Sequence, residues 1–264
     1  MARFGVPSSS CWLLLVLACA SLSTVQSAPG NGYGRIVGGE DASKAQFPHQ
    51  ISLRNAGSHS CGGSIISKNF ILTAAHCVTN QQEDGSFVAI DADRFTIRAG
   101  SNDRFSGGVL VNVVEVIFHE GYNTNLHNDV AVLRLESPLI FSSSIQPIAL
   151  PSVQTPDDAD IIVSGWGRLK AGGDLPRYLQ YNTLKSISFE KCDELIGWGL
   201  EMELCLLHEA DNGVCHGDSG GPAIYNGEVV GIAGFVWGSC GTTYPDGYSR
   251  VWYHKEWIIQ HTDL

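Results

Sequence analysis

Beyond its first 20 residues the chain has no apolar run approaching the ~18 residues that a membrane span requires, so nothing in its body reads as membrane-embedded. Positive charge is scarce. The 16 Lys and Arg stand against 27 Asp and Glu, a formal charge of −11, which argues against a nucleic-acid partner. Arg3 and Arg35 are the only charged residues before Ile36, so the remainder carries −13. No CxxC pair occurs, and His76, beside Cys77, has no finger-like spacing to other ligands, which sets structural zinc aside. Internal repeats, low-complexity segments and Asn-x-Ser/Thr acceptors are missing too. What is left is an acidic chain of 264 residues, long enough to bury a substantial core.

The first segment does not read as fold. Arg3 is followed by an apolar run over 11–20 and then by small residues including Val25, Ser27 and Ala28, the layout of a secretory signal over 1–27. Residues 28–35, APGNGYGR, look like a flexible propeptide ending on the basic Arg35, and Ile36-Val37-Gly38-Gly39 would bury readily once cut free. If Cys11 and Cys19 leave with the signal, six cysteines remain: Cys61, Cys77, Cys192, Cys205, Cys215 and Cys240. An even number in a secreted chain reads as disulfides. Their connectivity stays open, although pairing neighbours in sequence order would close short loops.

Short β-branched or alternating segments then follow one another, at 50–53, 64–73, 95–98, 110–118, 130–135, 161–164, 178–187, 228–235 and 248–251, separated by Gly, Asn, Asp or Pro clusters. The class is all-β, a barrel or sandwich. A polar, proline-bearing run over 137–160 divides the strands into two sets. This predicts a first module at about 36–140, a linker at about 141–160 and a second module at about 161–264. Trp252, Trp257, Ile258 and Ile259, at partly helical spacing, predict a C-terminal helix within 251–261.

The stretch Cys215-His216-Gly217-Asp218-Ser219-Gly220-Gly221-Pro222 is poor core material: a hydroxyl among three glycines, beside a carboxylate and closed by proline. A serine in such a turn can present its Oγ while backbone N–H groups point at the same place, the nucleophile and oxyanion donors that acyl transfer needs. Taken alone, the stretch reads equally as an ordinary glycine-rich loop. A serine nucleophile needs a base, and a histidine base works best with a carboxylate behind it. Of nine histidines, His76 stands out in Thr73-Ala74-Ala75-His76-Cys77, where small neighbours leave room for the ring. Asp129 opens the apolar run Val130-Ala131-Val132-Leu133. In isolation His76 would be a surface or core ring and Asp129 a solvated strand-end acid.

Together, IVGG at 36–39, TAAHC at 73–77, DVAVL at 129–133, GWG at 165–167 and GDSGGP at 217–222 resemble the chymotrypsin/trypsin family of serine endopeptidases, in its order His, Asp, Ser, over residues 35–264. The resemblance implies two packed six-stranded antiparallel β-barrels with a C-terminal helix, and a site between the barrels. It implies Ser219 as nucleophile, His76 as base and then acid, Asp129 as orienting carboxylate, and the N–H groups of Gly217 and Ser219 as oxyanion hole. It also implies the pairs Cys61–Cys77, Cys192–Cys205 and Cys215–Cys240. Cleavage after Arg35 would free the Ile36 ammonium to bury against Asp218, ordering a loop and bringing the Gly217 amide into place.

By the same matching, Gly213 and Val214 form the base of the primary pocket, Ala233 and Val236 its walls, and Asp246 and Tyr248 its back, with His216, Gly234 and Phe235 alongside. A trypsin-like pocket would have aspartate in place of Gly213 and glycine in place of Val236. Neither holds, and Asp211, two residues off, is no substitute. The two valines favour small aliphatic substrate groups with modest discrimination, and the set is similar to that of neutrophil elastase. Asp246 is expected to be screened by the valines; the alternative is that it reaches the pocket and admits Lys or Arg. Gly234 stands where the family usually has a serine supporting the triad acid, so Asp129 is expected to lack a donor. The loop 100–108 lacks the paired acids of a calcium site, and neither a metal nor a cofactor is expected.

The expected partners are protein or peptide substrates, a trypsin-like activator (because an aliphatic pocket should not cut after Arg35), and protein protease inhibitors. The expected form is a secreted, extracellular monomer with no nucleic-acid or membrane partner, a digestive or general endopeptidase more than a regulatory one. The rival is a secreted binding protein on a protease scaffold, against which stands the presence of all three triad residues.

Overall fold

Strands dominate because β-branched and aromatic residues recur in short runs cut by turn formers. The computed structural model describes residues 1–3, 5 and 36–264. Apart from those first few positions, the expected signal and propeptide, with Arg35, Cys11 and Cys19, lie outside the described residues. Contacts set 1–33 apart from 34–264, and the fold is that of the second unit.

β1 (Glu40–Asp41) comes first, followed by β2 (Gln50–Asn55), β3 (Ser58–Ile65) and β4 (Phe70–Thr73). After a small ribbon of β5 (Thr79–Gln81) and β6 (Phe87–Ala89) come β7 (Phe95–Ala99), β8 (Val109–Phe118) and β9 (Ala131–Leu135). Six of these close an antiparallel barrel in the order β2-β3-β4-β9-β8-β7. The rest of the chain supplies β10 (Asp160–Gly165), β11 (Gln180–Ile187), the helix α1 (Phe189–Ile196), β12 (Glu203–Leu207), β13 (Pro222–Tyr225), β14 (Glu228–Val236), β15 (Asp246–Arg250) and the helix α2 (Val251–Gln260). Here β11-β10-β13-β14-β15-β12 form a second six-stranded barrel, closed by pairing of β11 with β12. The two barrels and the C-terminal helix are the architecture that the resemblance implies.

Local details differ from the sequence reading. Residues 64–73 are not one strand but parts of two, because Ser67 Oγ accepts from the Asn69 and Phe70 amides and turns the chain between β3 and β4. α1 is a further addition: Ser188 caps it by accepting from the Lys191 amide, and Gly197 ends it in the left-handed region at φ +66°. β12 and β13 are absent from the sequence reading; β12 is buried along most of its length and so shows no alternation, and β13 spans only four residues. Val251 belongs to α2 and not to the preceding strand.

Ile51, Leu53, Ile71, Leu72, Ile97 and Leu133 fill the first barrel, and Ile161, Leu184, Leu206 and Val230 the second, all essentially without solvent exposure. Each such side chain contributes roughly 1.5–3 kcal/mol by leaving water. β1 pairs with β11 of the second barrel, and Val251, Trp257 and Ile258 of α2 bury in a cluster that joins core residues of both barrels. Trp257 Nε1 donates to Glu120 Oε2 at 2.9 Å and Lys255 Nζ to the Pro151 carbonyl at 2.8 Å, fixing that helix in place. Three disulfides form, Cys61–Cys77, Cys192–Cys205 and Cys215–Cys240, in the pairing implied by the resemblance. Among the described residues no helix is long and apolar enough to cross a membrane.

Candidate active site

His76 lies in a 3₁₀ turn, Ala75–Cys77, that begins as β4 ends. Ala74 and Ala75 are fully buried beneath it and the Cys61–Cys77 bridge ties the turn to β3, so the ring is held from two sides. Asp129 sits just before β9, where the buried run Val130–Leu133 anchors it in the barrel wall, and it is 1% exposed. Its Oδ2 lies 2.6 Å from His76 Nδ1 and its Oδ1 accepts from the His76 backbone amide at 2.8 Å. Both oxygens therefore serve one residue. A carboxylate at Nδ1 places the ring proton there and leaves Nε2 as the basic atom. Burial disfavours the charged ring, but the Asp129 charge and hydrogen bond overcome it, and His76 titrates above the ordinary histidine range. Ser249 Oγ supports the acid from behind by donating to the Asp129 carbonyl at 2.9 Å.

Ser219 comes from the other barrel, in the loop before β13. Its carbonyl accepts from the Gly62 amide of β3 at 2.7 Å, a bond that crosses between barrels. Gly220 follows at φ +74°, and a Cβ there would come within 2.2 Å of Thr73 Oγ1, so the serine's turn closes against the histidine's strand only with glycine at this position. Among the described residues neither the Gly217 nor the Ser219 amide donates to another protein group, which leaves both as candidate donors to an oxyanion. No hydrogen bond joins Ser219 Oγ to His76 among the described residues; Nε2 lies 3.7 Å from Cys77 Sγ. Both residues line one cavity of about 300 Å³, together with Val214, Cys215, His216, Ala233, Gly234, Phe235 and Val236.

Gly213, Asp246 and Tyr248 of the expected pocket are buried and do not line that cavity. Asp246 Oδ2 accepts from the Val214 amide at 2.7 Å. The same oxygen lies 3.2 Å from His208 Nε2, a contact that is not aligned as a hydrogen bond. Burial raises the Asp246 carboxyl above the usual carboxylate range, and the acid in turn lifts His208 against its own burial. The sequence reading does not reach His208. The one available signal was Asp246 itself, since an acid expected to be buried behind a pocket needs a partner.

Asp218 points away from the cavity. Its oxygens accept from the Gly167 amide at 2.7 Å and the Cys215 amide at 3.0 Å, and burial pushes its carboxyl up to about 7. Ile36 is fully buried as well. His59 also bears on this loop without a signal in the sequence: its Nε2 is 3.1 Å from the Gly217 carbonyl and its Nδ1 2.7 Å from Ser52 Oγ. Beside Asp129, Gly234 offers no side-chain donor, and a Cβ at Gly234 would stand 3.7 Å from Asp129 Oδ2.

The Trypsin family model matches residues 36–258. A protein named Serine protease SP24D from Anopheles gambiae is 42% identical over 224 residues, 85% of this chain and 80% of that protein. Trypsin alpha of Drosophila erecta is 42% identical over 231 residues, covering 86% of this chain and 87% of its own length. Trypsin beta of the same fly is 40% identical over 255 residues, 94% and 97% of the two chains. In sequence and in barrel architecture alike, the chain belongs to the trypsin family and is a serine endopeptidase, a hydrolase of peptide bonds in proteins.

Proposed function

We propose that this endopeptidase cuts after small aliphatic residues such as Val, Ala and Ile, through an acyl-enzyme on Ser219, and that it is secreted as a zymogen activated by cleavage after Arg35. In the first half-reaction His76 Nε2 takes the Ser219 Oγ proton as Oγ bonds to the scissile carbonyl carbon. The Gly217 and Ser219 amides hold the oxyanion while Asp129 stabilises the imidazolium. His76 then gives the proton to the departing amine, the C–N bond breaks and an ester remains on Ser219. Water repeats the sequence, losing a proton to His76 and releasing the acid as Ser219 recovers its hydrogen.

The observation that carries the specificity is the state of Asp246. Its carboxylate is occupied by the Val214 amide and His208 behind the pocket floor, while Val214, Ala233 and Val236 face the cavity. A cationic substrate side chain would meet methyl groups there. The similarity to fly trypsins favours a second reading, cleavage after Lys or Arg with Asp246 as the counter-charge. A library of peptides varied at the residue before the scissile bond (P1) separates the two. Val, Ala and Ile should lead; a lead for Arg or Lys overturns the aliphatic reading.

Asp218 supports the zymogen. A fully buried carboxyl held, among the described residues, only by backbone amides is poorly compensated, and a newly freed Ile36 ammonium is the natural partner for it. The cleaved chain should react with a serine-directed organophosphonate at Ser219 at least a hundredfold faster than the uncleaved one. Equal rates would remove cleavage from the scheme, and concentration-dependent self-activation would remove the separate trypsin-like activator. Three disulfides are in keeping with an oxidising, extracellular compartment. The same cleft in a monomer would accept protein inhibitors that present a loop with an aliphatic P1 residue.

A further inference from the structure

We infer that His208 is a specificity-determining positioning residue: it cancels the charge of Asp246 behind the pocket floor and so withholds from cationic substrates an acid that the pocket would otherwise present. The inference deepens the aliphatic reading above and rests on it.

The argument starts with the two ring nitrogens. His208 Nδ1 lies 3.0 Å from the Glu209 carbonyl and Nε2 lies 3.2 Å from Asp246 Oδ2. A carbonyl can only accept, so Nδ1 carries a hydrogen. Nε2 then faces a carboxyl oxygen in one of two consistent states. Either the ring is an imidazolium beside a carboxylate, or it is neutral and the proton sits on Asp246. In both the pair shares one proton and has no net charge. A guanidinium or ammonium entering from the cavity side would find no uncompensated anion. Both side chains are nearly fully buried, at 2% and 4% exposure, so water does not supply the missing half of either charge.

The backbone around the pair is fitted to it. His208 follows β12 directly, and Asp246 opens β15, where it is in register with Leu206 on one side and Val236 on the other. Gly213 passes over both. Its φ is +105°, and a Cβ built there would lie 2.5 Å from Asp246 Oδ2 and 2.5 Å from His208 Nε2, closer than real side chains approach. The imidazole and carboxylate therefore occupy the space into which any side chain at 213 would project. The glycine, the histidine and the acid form one unit, and a carboxylate cannot be placed at 213 while the other two stand.

Removing the imidazole leaves a buried carboxylate with a single amide donor. Such a group is strongly disfavoured and attracts a cation, and Val214, whose amide it accepts from, lines the cavity from which a cationic side chain would come. The test uses the mature enzyme, activated on immobilised trypsin that is then removed. Matched peptide p-nitroanilides differing only in Val or Arg at P1 give a ratio of kcat/KM values at pH 8. The expected results are a wild type that leans to Val, a rise of at least tenfold in the Arg:Val ratio for His208→Leu, and loss of that rise in the His208→Leu/Asp246→Asn double variant. His208→Gln, which keeps a polar group without a charge, should raise the ratio by less, and it serves if the leucine variant does not fold. A folded His208 variant that cleaves the Val peptide with a ratio within twofold of wild type overturns the inference. So does a double variant that keeps the gain. A wild type that leans to Arg overturns the aliphatic reading instead, and the change in ratio between variant and wild type still decides the role of His208.

Discussion

Asp129 spends both carboxylate oxygens on His76, one on the ring and one on the backbone, and the neighbouring Gly234 contributes nothing. A serine there would bring a hydroxyl to the acid, because its Cβ would stand 3.7 Å from Asp129 Oδ2. One neutral hydrogen bond is worth about 1 kcal/mol net, so Gly234→Ser should raise kcat about fivefold; equal rates in the two enzymes would show the donor to be dispensable. The acid also sets the pH profile. Because Asp129 lifts His76 above its ordinary value, the basic ring is lost as pH falls, and the acid limb of kcat/KM should lie above 6.5. Asp129→Asn should move that limb down and lower kcat by about 10⁴; a limb that stays in place would mean another group titrates. His76, Asp129 and Ser219 could be singled out as candidates in the sequence because each sits in a distinctive short stretch: small residues around His76, an apolar strand behind Asp129, glycines around Ser219. His208 was not. Its role comes from a carboxylate on a neighbouring strand, and nothing in Leu207-His208-Glu209 points there.

At the scale of elements, strands with β-branched runs announced themselves, and the errors fell where local chemistry was overridden or easily missed. Ser67 makes two strands of what the apolar run over 64–73 presents as one, and β12 hides its period because both faces are covered. The C-terminal helix was legible as a helix, yet not for what it covers. Ile258 is fully buried in the cluster shared with the first barrel's core, so Ile258→Ala should destabilise the protein by about 2–5 kcal/mol. The midpoint of urea unfolding measures this, and a loss below about 1 kcal/mol would mean the helix is only draped on the surface. The same helix places His254 Nε2 3.2 Å from Asn128 Oδ1, one residue before Asp129, so activity should fall before unfolding is complete as the helix loosens.

For the molecule as a whole, Asp218 makes stability depend on pH in a direction opposite to that of a paired acid. Its folded value of about 7 exceeds the ordinary 3.8, so its contribution is intact below about 3.8 and is lost as pH rises toward 7. The uncleaved chain should therefore lose more Tm between pH 4 and pH 8 than its Asp218→Asn variant does. Cleavage after Arg35 should narrow that difference, and parallel Tm curves for the two uncleaved chains would show Asp218 to be compensated already. A last consequence concerns how such a chain is made. Its first strand pairs within the later barrel, and its last helix buries Val251, Trp257 and Ile258 in a core that joins residues of both barrels. A ribosome delivers the chain from one end, so this shared core stays incomplete, with apolar surface exposed, until the final residues emerge. Neither half should fold when expressed alone. Growth of the polypeptide should produce no protease-resistant intermediate the size of one barrel, and the whole should lock together in a single late step.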